Sequence, residues 1–218
     1  MAAGISPIGN PSDKGSPSDG DDTSGGQSSE KQPSVQSHWI VRASDSNDFQ
    51  YAPIAAEMLL RASQTDDIAA RSTYLLSQKI TAGHAALALD GEQLVGFGYL
   101  ARWKDNTVSH SGMIVLEDYR KFGVFRELKS ILMDIAEREF ADCDLISLTC
   151  SPAVKKVNEQ LGYTVTSLVA LTDDPEFWKG CQGCKNFESV NKPGSNCEVN
   201  SLGTRCCCTA MRLYRHEE

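Results

Sequence analysis

A strand that runs through a short basic turn into a long amphipathic helix is the feature that most constrains this chain. Apolar residues recur every three or four positions from Gly123 to Phe140, which predicts a helix with one buried face. The turn contains Arg120 and Lys121, and Met113–Leu116 before it is apolar and predicts a strand. Because helix N-termini present free N–H groups and a positive dipole end, the turn predicts a phosphate or pyrophosphate cradle. A plain strand-to-helix turn is the alternative.

The elements around this helix predict a mixed α/β sheet. Strands are predicted over 38–43, 84–91, 93–103, 107–116, 144–150, 163–171 and 209–214, with helices around 54–64 and over 66–79, 123–140 and 152–161. The polar faces of helix 123–140 carry Arg126, Lys129, Asp134, Glu137 and Arg138. A run of antiparallel strands followed by alternating helices and strands favours one mixed, mostly antiparallel central sheet with flanking helices.

The first 37 residues differ in composition from the rest of the chain. Nine Ser, six Gly, four Pro and four Asp leave 1–37 too little apolar surface to offset the entropy of ordering, so this tail is predicted to be disordered. Residues 38–218 then make one ordinary domain. A net charge of −8 without a basic stripe argues against a general nucleic-acid binder. No membrane span or secretory signal is recognisable, so we expect a cytoplasmic protein.

The basic turn and a second motif resemble the GNAT (GCN5-related) N-acetyltransferase superfamily. The family's acyl-CoA motif is a strand followed by Gln/Arg-x-x-Gly-x-Gly/Ala and a helix, and Arg120 and Gly123 match its first and fourth positions. Ser151–Tyr163 resembles the family's helix that ends in Leu-Gly-Phe/Tyr. The two motifs occur in the family's order, within a resemblance that covers roughly 38–172. Phe125 departs from the pattern, because it stands where the family has Gly or Ala.

The resemblance implies an acyl-CoA N-acyltransferase-like fold with splayed strands and acetyl-CoA as the cosubstrate. CoA would enter between strands 107–116 and 144–150, with its pyrophosphate on the N–H groups of Phe122–Phe125 and its pantetheine paired with the backbone of Ile114–Leu116. The N–H near Leu116 is then the candidate donor to the thioester oxygen. The implied cofactor-binding residues are Ile114, Val115, Leu116, Arg120, Lys121, Phe122, Gly123, Val124 and Phe125.

Three residues form the predicted catalytic set. An amine must lose a proton as it attacks a thioester, and a His or Glu with a near-neutral pKa suits that role. His110 lies on the strand before the cradle, near where some family members carry a catalytic Glu, and Glu117 lies in the turn. A half-exposed strand histidine, a solvated turn carboxylate and ordered water as the base are the alternatives. Asn158 aligns with the family's common Tyr, which can protonate the leaving thiolate, so the general acid is unassigned.

The placement of the cysteines predicts a local cysteine site near the C-terminus. Six of the eight cysteines lie between 181 and 208. The Cys181-x-x-Cys184 pair, together with Cys206 and Cys208, predicts a tetrahedral structural zinc site. Free or regulatory thiols, disulfides and a redox cluster are the alternatives.

Two further expectations concern this part of the chain. Residues 173–208 are predicted to be an insertion before the last strand, which in the resembled fold lies beside the acceptor groove. Phe177 and Trp178 are candidate walls of the substrate site, with Trp178 as an anchor of the loop to the core as the alternative. Cys143 and Cys150 flank a predicted core strand and are interpreted as small buried apolar residues.

These observations together predict an N-acetyltransferase. The predicted reaction is direct attack of an amine on acetyl-CoA in a ternary complex, with a small-molecule or peptide amine as the acceptor. The acidic composition suits a cationic acceptor such as a polyamine or a lysine-rich peptide. The alternative is a non-catalytic acyl-CoA-sensing or protein-interaction module with a zinc-binding Cys-rich loop. A thiol-redox or metal-handling protein on the same scaffold is the third hypothesis.

Overall fold

A seven-stranded sheet forms the centre of the protein. The computed structural model describes residues 38–66 and 68–215, so the tail predicted over 1–37 lies outside the described residues. The strands are β1 (Trp39–Ala43), β2 (Ala85–Asp90), β3 (Gln93–Arg102), β4 (Thr107–Val115), β5 (Asp144–Thr149), β6 (Thr164–Thr166), β7 (Glu198–Val199), β8 (Arg205–Cys206) and β9 (Thr209–Leu213). The main sheet has the order β1-β2-β3-β4-β5-β9-β6, and β7 and β8 pair separately. Among the strands of the described residues, only β4 and β5 pair in parallel, which confirms the mixed, mostly antiparallel sheet.

The helices pack on both faces of this sheet or connect its strands. They are α1 (Ala52–Thr65), α2 (Thr73–Thr81), α3 (Val124–Glu139), α4 (Pro152–Gln160), α5 (Leu168–Leu171), α6 (Pro175–Lys179) and α7 (Phe187–Val190). Within 38–66 and 68–215, none of the helices is both long enough and apolar enough to cross a membrane.

Strand β2 shows how the sheet is buried from both sides. Its alternate residues Ala85, Leu87 and Leu89 pack with α1 and α2, whereas Ala86 and Ala88 pack with the apolar face of α3. A strand buried on both faces is expected to be apolar throughout, as this one is. The nearly continuous apolar sequence of β2 and β3 is therefore the signature of a central position.

The strands β4 and β5 separate along their length. They pair in parallel only where Thr107, Val108 and Ser109 lie opposite 144–146. Beyond that point β4 continues against β3, where the register shifts between Phe97 and Tyr99. Gly112 lies at this irregularity with φ of +59°, and a Cβ there would be 2.7 Å from the Tyr99 ring. The bulge bends β4, as bulges do, and the second halves of β4 and β5 no longer bond to each other.

Two elements differ from the sequence-based expectation. The second helix, predicted from Asp66, begins at Thr73, because the Ser72 side chain caps it by accepting a hydrogen bond from the N–H of Leu75 at 3.3 Å. The strand predicted over 163–171 ends at Thr166 and gives way to α5, which Ser167 caps in the same way. Short polar side chains that bond to nearby backbone N–H groups favour a helix start over an extended chain.

The 173–208 segment leads from α5, which follows the edge strand β6, to β9, the strand that pairs antiparallel with β6. It contains α6, a 3₁₀ turn at Gly180–Gly183, α7 and the β7–β8 pair. Trp178 is 2 % exposed, and its Nε1–H donates to the carbonyl oxygen of Thr172 at 2.9 Å. Together with Ile146, Leu168, Leu171 and Ala210 it forms a small core of its own. This small core attaches the segment to the sheet.

Candidate active site at the separation of β4 and β5

A cleft of about 1360 Å³ extends across the region where β4 and β5 separate. Its lining includes Arg120 and Lys121 before α3, Met113 and Val115 of β4, and residues 147–151 at the end of β5. It continues to the 173–208 segment, which contributes Phe177 and several cysteines. The gap between the strands, the start of α3 and this segment therefore share one open space. We call its two limits the cradle end (residues 115–125) and the thiol end (Cys150 and the 173–208 segment).

The cradle end is the start of α3. Gly123 is the N-cap with φ of +99° and ψ of −11°, a left-handed conformation that glycine adopts without strain. The bonds inside the helix begin with the N–H groups of Arg126 and Glu127, which both donate to the carbonyl oxygen of Gly123. The N–H groups of Val124 and Phe125 lie before the first of these bonds, at the helix N-terminus, where N–H groups have no partner inside the helix. This geometry is suited to binding an anion such as a pyrophosphate.

Side-chain contacts hold the turn before Gly123 in place. The Tyr119 hydroxyl donates to Asp90 at 2.6 Å, and the Trp39 ring lies 6.2 Å from the Phe122 ring. Arg120 donates through Nε to the carbonyl oxygen of Val115 at 3.0 Å. The turn is thereby attached to β1, β2 and β4, which fixes the position of the cradle relative to the sheet.

The structure divides the predicted cofactor-binding residues into two groups. The cleft is lined by Ile114, Val115, Arg120, Lys121 and Phe125, whereas Leu116, Phe122, Gly123 and Val124 are not part of its lining. Phe122 is 54 % exposed, and Val124 is buried in the core. The N–H of Leu116, expected to face a thioester, donates instead to the carbonyl oxygen of Val95 at 2.9 Å. It therefore belongs to the β3–β4 ladder rather than to the free edge of β4.

His110 lies at the point where the strands separate, in contact with two other buried side chains. Its Nδ1 is 2.9 Å from Nζ of Lys129 and 3.4 Å from the Tyr163 hydroxyl. Lys129 is 1 % exposed and also lies over the Tyr163 ring, 4.7 Å from its centre. His110 Nε2 is buried, and among the described residues it has no hydrogen-bond partner. His110 and Lys129 both line the cleft, which brings two nitrogen bases to its centre.

Burial shifts the pKa of all three groups. Loss of hydration lowers the pKa of Lys129 from 10.5 to about 7. Burial, reinforced by the charges of Lys129 and Arg215, holds the pKa of His110 well below its usual range. Burial also raises the pKa of Tyr163, which stays protonated. Near neutral pH the site therefore contains a neutral imidazole beside a lysine that is partly in its free amine form.

Glu117 and Asn158, the other two residues of the predicted catalytic set, lie outside the cleft lining. Glu117 is exposed in a 3₁₀ turn. Asn158 is fully buried, and its Nδ2 donates to the Ser147 hydroxyl at 2.9 Å. The face of α4 that carries Asn158 packs against β5 and β9, while Val154 and Val157 face the cleft. The position of Asn158 gives it a packing role, and its part in catalysis stays a prediction.

The cleft is basic although the chain as a whole is acidic. Its charged lining residues are the basic Arg71, Lys79, Arg102, Arg120, Lys121, Lys129, Lys179 and Arg205 and the acidic Asp66 and Glu176. Arg71 donates to the Tyr99 hydroxyl at 3.0 Å and to the carbonyl oxygens of Ala69 and Ala70. No acidic side chain in the described part of the chain forms an ion pair with Arg71. Its charge is therefore available to a ligand in the cleft.

The thiol end contributes six cysteines to the lining of the cleft. Cys150 Sγ lies 2.8 Å from Cys208 Sγ and 3.7 Å from Cys207 Sγ. Cys206 accepts hydrogen bonds from the thiols of Cys181 and Cys208, which lowers the pKa of Cys206. The set predicted from the sequence, Cys181, Cys184, Cys206 and Cys208, differs from the set that meets at one point. Among the described residues, that set is Cys150, Cys207 and Cys208.

The two aromatic residues predicted to shape the substrate site have different roles. Phe177 lines the cleft and packs edge-on against Trp103, with ring centres 5.2 Å apart. Trp178 points the other way, into the small core of the 173–208 segment. Of the two interpretations of Trp178, the structure supports the anchor.

Sequence reasoning missed three residues of the cleft. The sequence pattern places Lys129 on a polar face of α3, but its side chain is buried. Its spacing of four residues after Phe125 and three before Leu132 could have indicated this, because residues so spaced share one face of a helix. Arg71 was assigned to the interior of a predicted helix, whereas it precedes α2. Cys150 was interpreted as a buried apolar residue, although it is part of the thiol group. No local pattern marks Arg71 or Cys150.

Known proteins resemble this chain in sequence and in structure. The acetyltransferase (GNAT) family matches residues 54–163. No curated protein matches the sequence. A similar solved structure is that of yncA, a putative acetyltransferase from Salmonella typhimurium with its cofactor acetyl-CoA, at 19% identity and a TM-score of 0.56. That similarity covers 83% of this chain and 95% of the other.

Two other solved structures have the same fold. N-acetylglutamate synthase from Neisseria gonorrhoeae, complexed with coenzyme A and N-acetyl-glutamate, is 17% identical with a TM-score of 0.54 over 82% of this chain. This chain spans only 35% of the synthase. Rv2747 from Mycobacterium tuberculosis, in complex with CoA and NLQ, is 13% identical with a TM-score of 0.53 over 80% of this chain and 98% of its own. Because the family match extends over half of the sequence and includes the strand, the basic turn and α3, this chain belongs to the acetyltransferase (GNAT) family.

Proposed function

We propose that the protein is an acyl-CoA-dependent N-acyltransferase that transfers acetyl from acetyl-CoA to an amine in one step. The observation that carries this proposal is the separation of β4 from β5 beyond Ser109. It opens a cleft with an anion cradle at one limit and a buried pair of nitrogen bases at its centre. Similar folds have been solved with CoA or acetyl-CoA bound, which supports acetyl-CoA as the cosubstrate.

The cosubstrate would use three features of the cleft. Its pyrophosphate would bind the N–H groups at the start of α3, beside the positive charges of Arg120 and Lys121. Its pantetheine would run along the edge of β4 that faces β5. The carbonyl oxygen of Val115 already accepts a hydrogen bond from Arg120, but a carbonyl has two lone pairs and can accept a second. The thioester would then lie near His110 and Lys129.

The His110–Lys129 pair would accept the proton that the attacking amine loses. The amine nitrogen forms a bond to the acetyl carbon, the carbon–sulfur bond breaks, and the electron pair leaves with the CoA thiolate. The proton passes to the free amine of Lys129 and from there returns to the thiolate or to solvent. A base with a pKa near the working pH is best suited to this transfer, and the pKa of Lys129 is about 7. His110 holds Nζ in place through its Nδ1.

The charge of the cleft indicates an acceptor that carries a carboxylate as well as an amine. Arg120 and Lys121 would serve the pyrophosphate, and Lys129 is partly uncharged near neutral pH. The other five basic side chains of the lining still outnumber its two acidic ones, which disfavours the cationic acceptor suggested by the composition. Arg71 is the candidate partner of the carboxylate, because neutral oxygens hold it in place. A guanidinium group can bind a carboxylate through two parallel hydrogen bonds. Amino acids belong to this class, as do peptides whose C-terminal carboxylate lies close to the reacting amine.

Turnover of acetyl-CoA with a panel of amines tests the proposed reaction. We expect formation of free CoA and of a product heavier by one acetyl group, both measured by mass spectrometry so that the protein's own thiols do not interfere. Binding of acetyl-CoA without product from any amine would overturn the enzyme in favour of a sensing module. A folded protein that binds neither CoA nor acetyl-CoA would contradict the proposed use of the cleft.

Pairs of acceptors that differ only in a carboxylate test the proposed substrate class. We expect an amino acid to be acetylated with a kcat/KM about tenfold or more above that of its decarboxylated amine, since a charge-assisted hydrogen bond contributes about 1.5–3 kcal/mol. Arg71→Gln should remove that difference. Arg61→Gln is the matched control, because Arg61 is exposed on α1 and pairs with Glu57. Equal rates for both members of each pair would contradict the assignment of Arg71.

A further inference from the structure

The three cysteines that meet at the thiol end come from two distant segments of the chain. Cys150 follows β5, and Cys207 and Cys208 precede β9. Because Thr149 lies opposite Thr209 in the antiparallel β5–β9 pair, positions 150 and 208 are the next pair beyond it. The three Sγ atoms all lie within 4.8 Å of one another. The central sheet itself therefore places these thiols together.

The arrangement of the sulfur atoms is close to that of a thiolate metal site. Zn–S bonds of about 2.3 Å in a tetrahedral arrangement put neighbouring sulfurs about 3.8 Å apart. Cys150 and Cys207 are already 3.7 Å apart. Cys150 and Cys208, at 2.8 Å, would move apart by about 1 Å to reach that spacing. Asn186 donates through Nδ2 to Cys207 Sγ at 3.7 Å, the kind of outer contact that orients a metal ligand.

We propose that Cys150, Cys207 and Cys208 are the protein ligands of a zinc-class divalent cation at the thiol end of the cleft. All three residues line the cleft, so a fourth ligand would be able to reach the metal from that space. Thiolate sulfur is the ligand type that selects zinc over magnesium or calcium. The site tethers the 173–208 segment to the end of β5. It does not depend on the proposed acyl transfer.

The sequence-predicted set forms a poorer metal site in the structure. Cys181 contacts Cys206, and Cys206 contacts Cys208. Among the described cysteines, however, these residues together with Cys184 do not come within 4.8 Å of one another as one group. Four sulfur atoms that do not all lie close to one another need a larger rearrangement to bind one ion than the three that already do. The spacing along the chain therefore suggested a different ligand set from the one that the sheet brings together.

Metal loading of the full-length chain tests the proposal. The protein is purified under reducing conditions, stripped with a chelator, and titrated with Co²⁺ and then with Zn²⁺. We expect one equivalent of either metal by elemental mass spectrometry and sulfur-to-cobalt charge-transfer absorption that Zn²⁺ abolishes. Folded, reduced protein that binds no metal would overturn the proposal. A Cys150–Cys208 disulfide in reductant-free protein would assign these thiols to a redox function, provided that the reduced protein binds no metal.

Serine variants distinguish the two ligand sets. Cys150→Ser, Cys207→Ser and Cys208→Ser should each lose the charge-transfer band and bind metal at least about tenfold more weakly. Cys184→Ser and Cys197→Ser are the matched controls, since both change a cysteine of the same segment outside the proposed set. Loss of metal from Cys184→Ser together with retention by Cys150→Ser would overturn the assignment.

Protection of thiols by zinc in the protein without substitutions tests the same ligand set, even if a variant fails to fold. Thiols are alkylated with and without Zn²⁺, and each modified cysteine is identified by peptide mass spectrometry. We expect zinc to protect positions 150, 207 and 208 and to leave Cys197 as reactive as before. Protection of Cys181 and Cys184 instead, with Cys150 still reactive, would contradict the proposed set.

Discussion

The two ends of the cleft are built in different ways. The cradle end is made from one continuous stretch, in which the end of β4, a turn and the start of α3 follow one another within residues 115–125. The thiol end combines residue 150 with residues of the 173–208 segment, which meet only because β5 pairs with β9. The cradle end presents mainly backbone N–H groups, whereas the thiol end presents side-chain sulfur atoms.

This difference predicts that the two ends respond differently to amino-acid substitutions. A backbone cradle depends on conformation, so the decisive residue is the glycine that permits φ of +99°. A side-chain cluster depends on the identity of each contributing residue and on the alignment of distant segments. The His110–Lys129 pair lies between the two ends and combines β4 with α3. Substitutions at each of these places test the comparison.

The largest effect is expected from Lys129→Met at the centre of the cleft. Met is an unbranched side chain one atom shorter than Lys and removes the base, so kcat/KM should fall by about 10²–10⁴-fold. In the unsubstituted protein, kcat/KM should fall as the pH drops below about 7, because protonated Lys129 cannot accept a proton. Lys156→Met, an exposed change on α4, is the control. An unchanged rate and pH profile in Lys129→Met would remove Lys129 from the mechanism.

The same variant should be more stable than the parent protein. The pKa of Lys129 is about 7 in the folded state and 10.5 when hydrated, so between these values the unfolded chain binds more protons and stability rises with pH. Each unit of pKa difference corresponds to about 1.4 kcal/mol, so the cost near pH 7 amounts to several kcal/mol at most. Lys129→Met should recover part of this cost and should lack the rise in stability above pH 7. Chemical denaturation at pH 7 and pH 9 measures both.

The next largest effect is expected at the cradle end from Gly123→Ala. An added Cβ has room, since the nearest atom is 3.9 Å away, but the left-handed backbone costs about 1–2 kcal/mol for residues other than glycine. Gly91→Ala is the matched control, because Gly91 also has a positive φ and open space around it but lies in the β2–β3 turn. Both variants should be less stable, and only Gly123→Ala should bind CoA about tenfold more weakly. Equal CoA affinities in calorimetry would contradict the cradle.

The smallest effect is expected from the aromatic pair near the thiol end. Phe177→Ala removes part of the cleft wall and should raise the KM of the acceptor a few-fold with little change in kcat. Trp178→Phe removes the hydrogen bond to Thr172 and should lower the free energy of unfolding by about 1 kcal/mol, with little change in KM. A change in KM in Trp178→Phe, together with a loss of stability but unchanged KM in Phe177→Ala, would show that the anchor and the wall were assigned to the wrong residues.

Most of the fold could be predicted from the sequence where the pattern was regular. Strong periodicity located α3, and the continuous apolar residues of β2 and β3 indicated strands. The predictions failed where a single capping side chain decided the conformation, as Ser72 did at α2 and Ser167 did at α5. A capping side chain contributes about 1 kcal/mol to the stability of a helix, which is enough to choose between a helix start and an extended chain. The spacing of apolar residues contains no information about this contribution.

The sequence by itself determined the strand, the basic turn with Gly123 and the helix that follows, because these contacts are local and backbone conformation depends on nearby residues. Only the tertiary structure decided that Lys129 is buried beside His110, that Arg71 faces a basic cleft in an acidic protein, and that Cys150 joins Cys207 and Cys208. Each of these depends on the pairing and packing of elements far apart in the chain. Burial and charge environment belong to the assembled sheet and helices, and no stretch of sequence contains them alone.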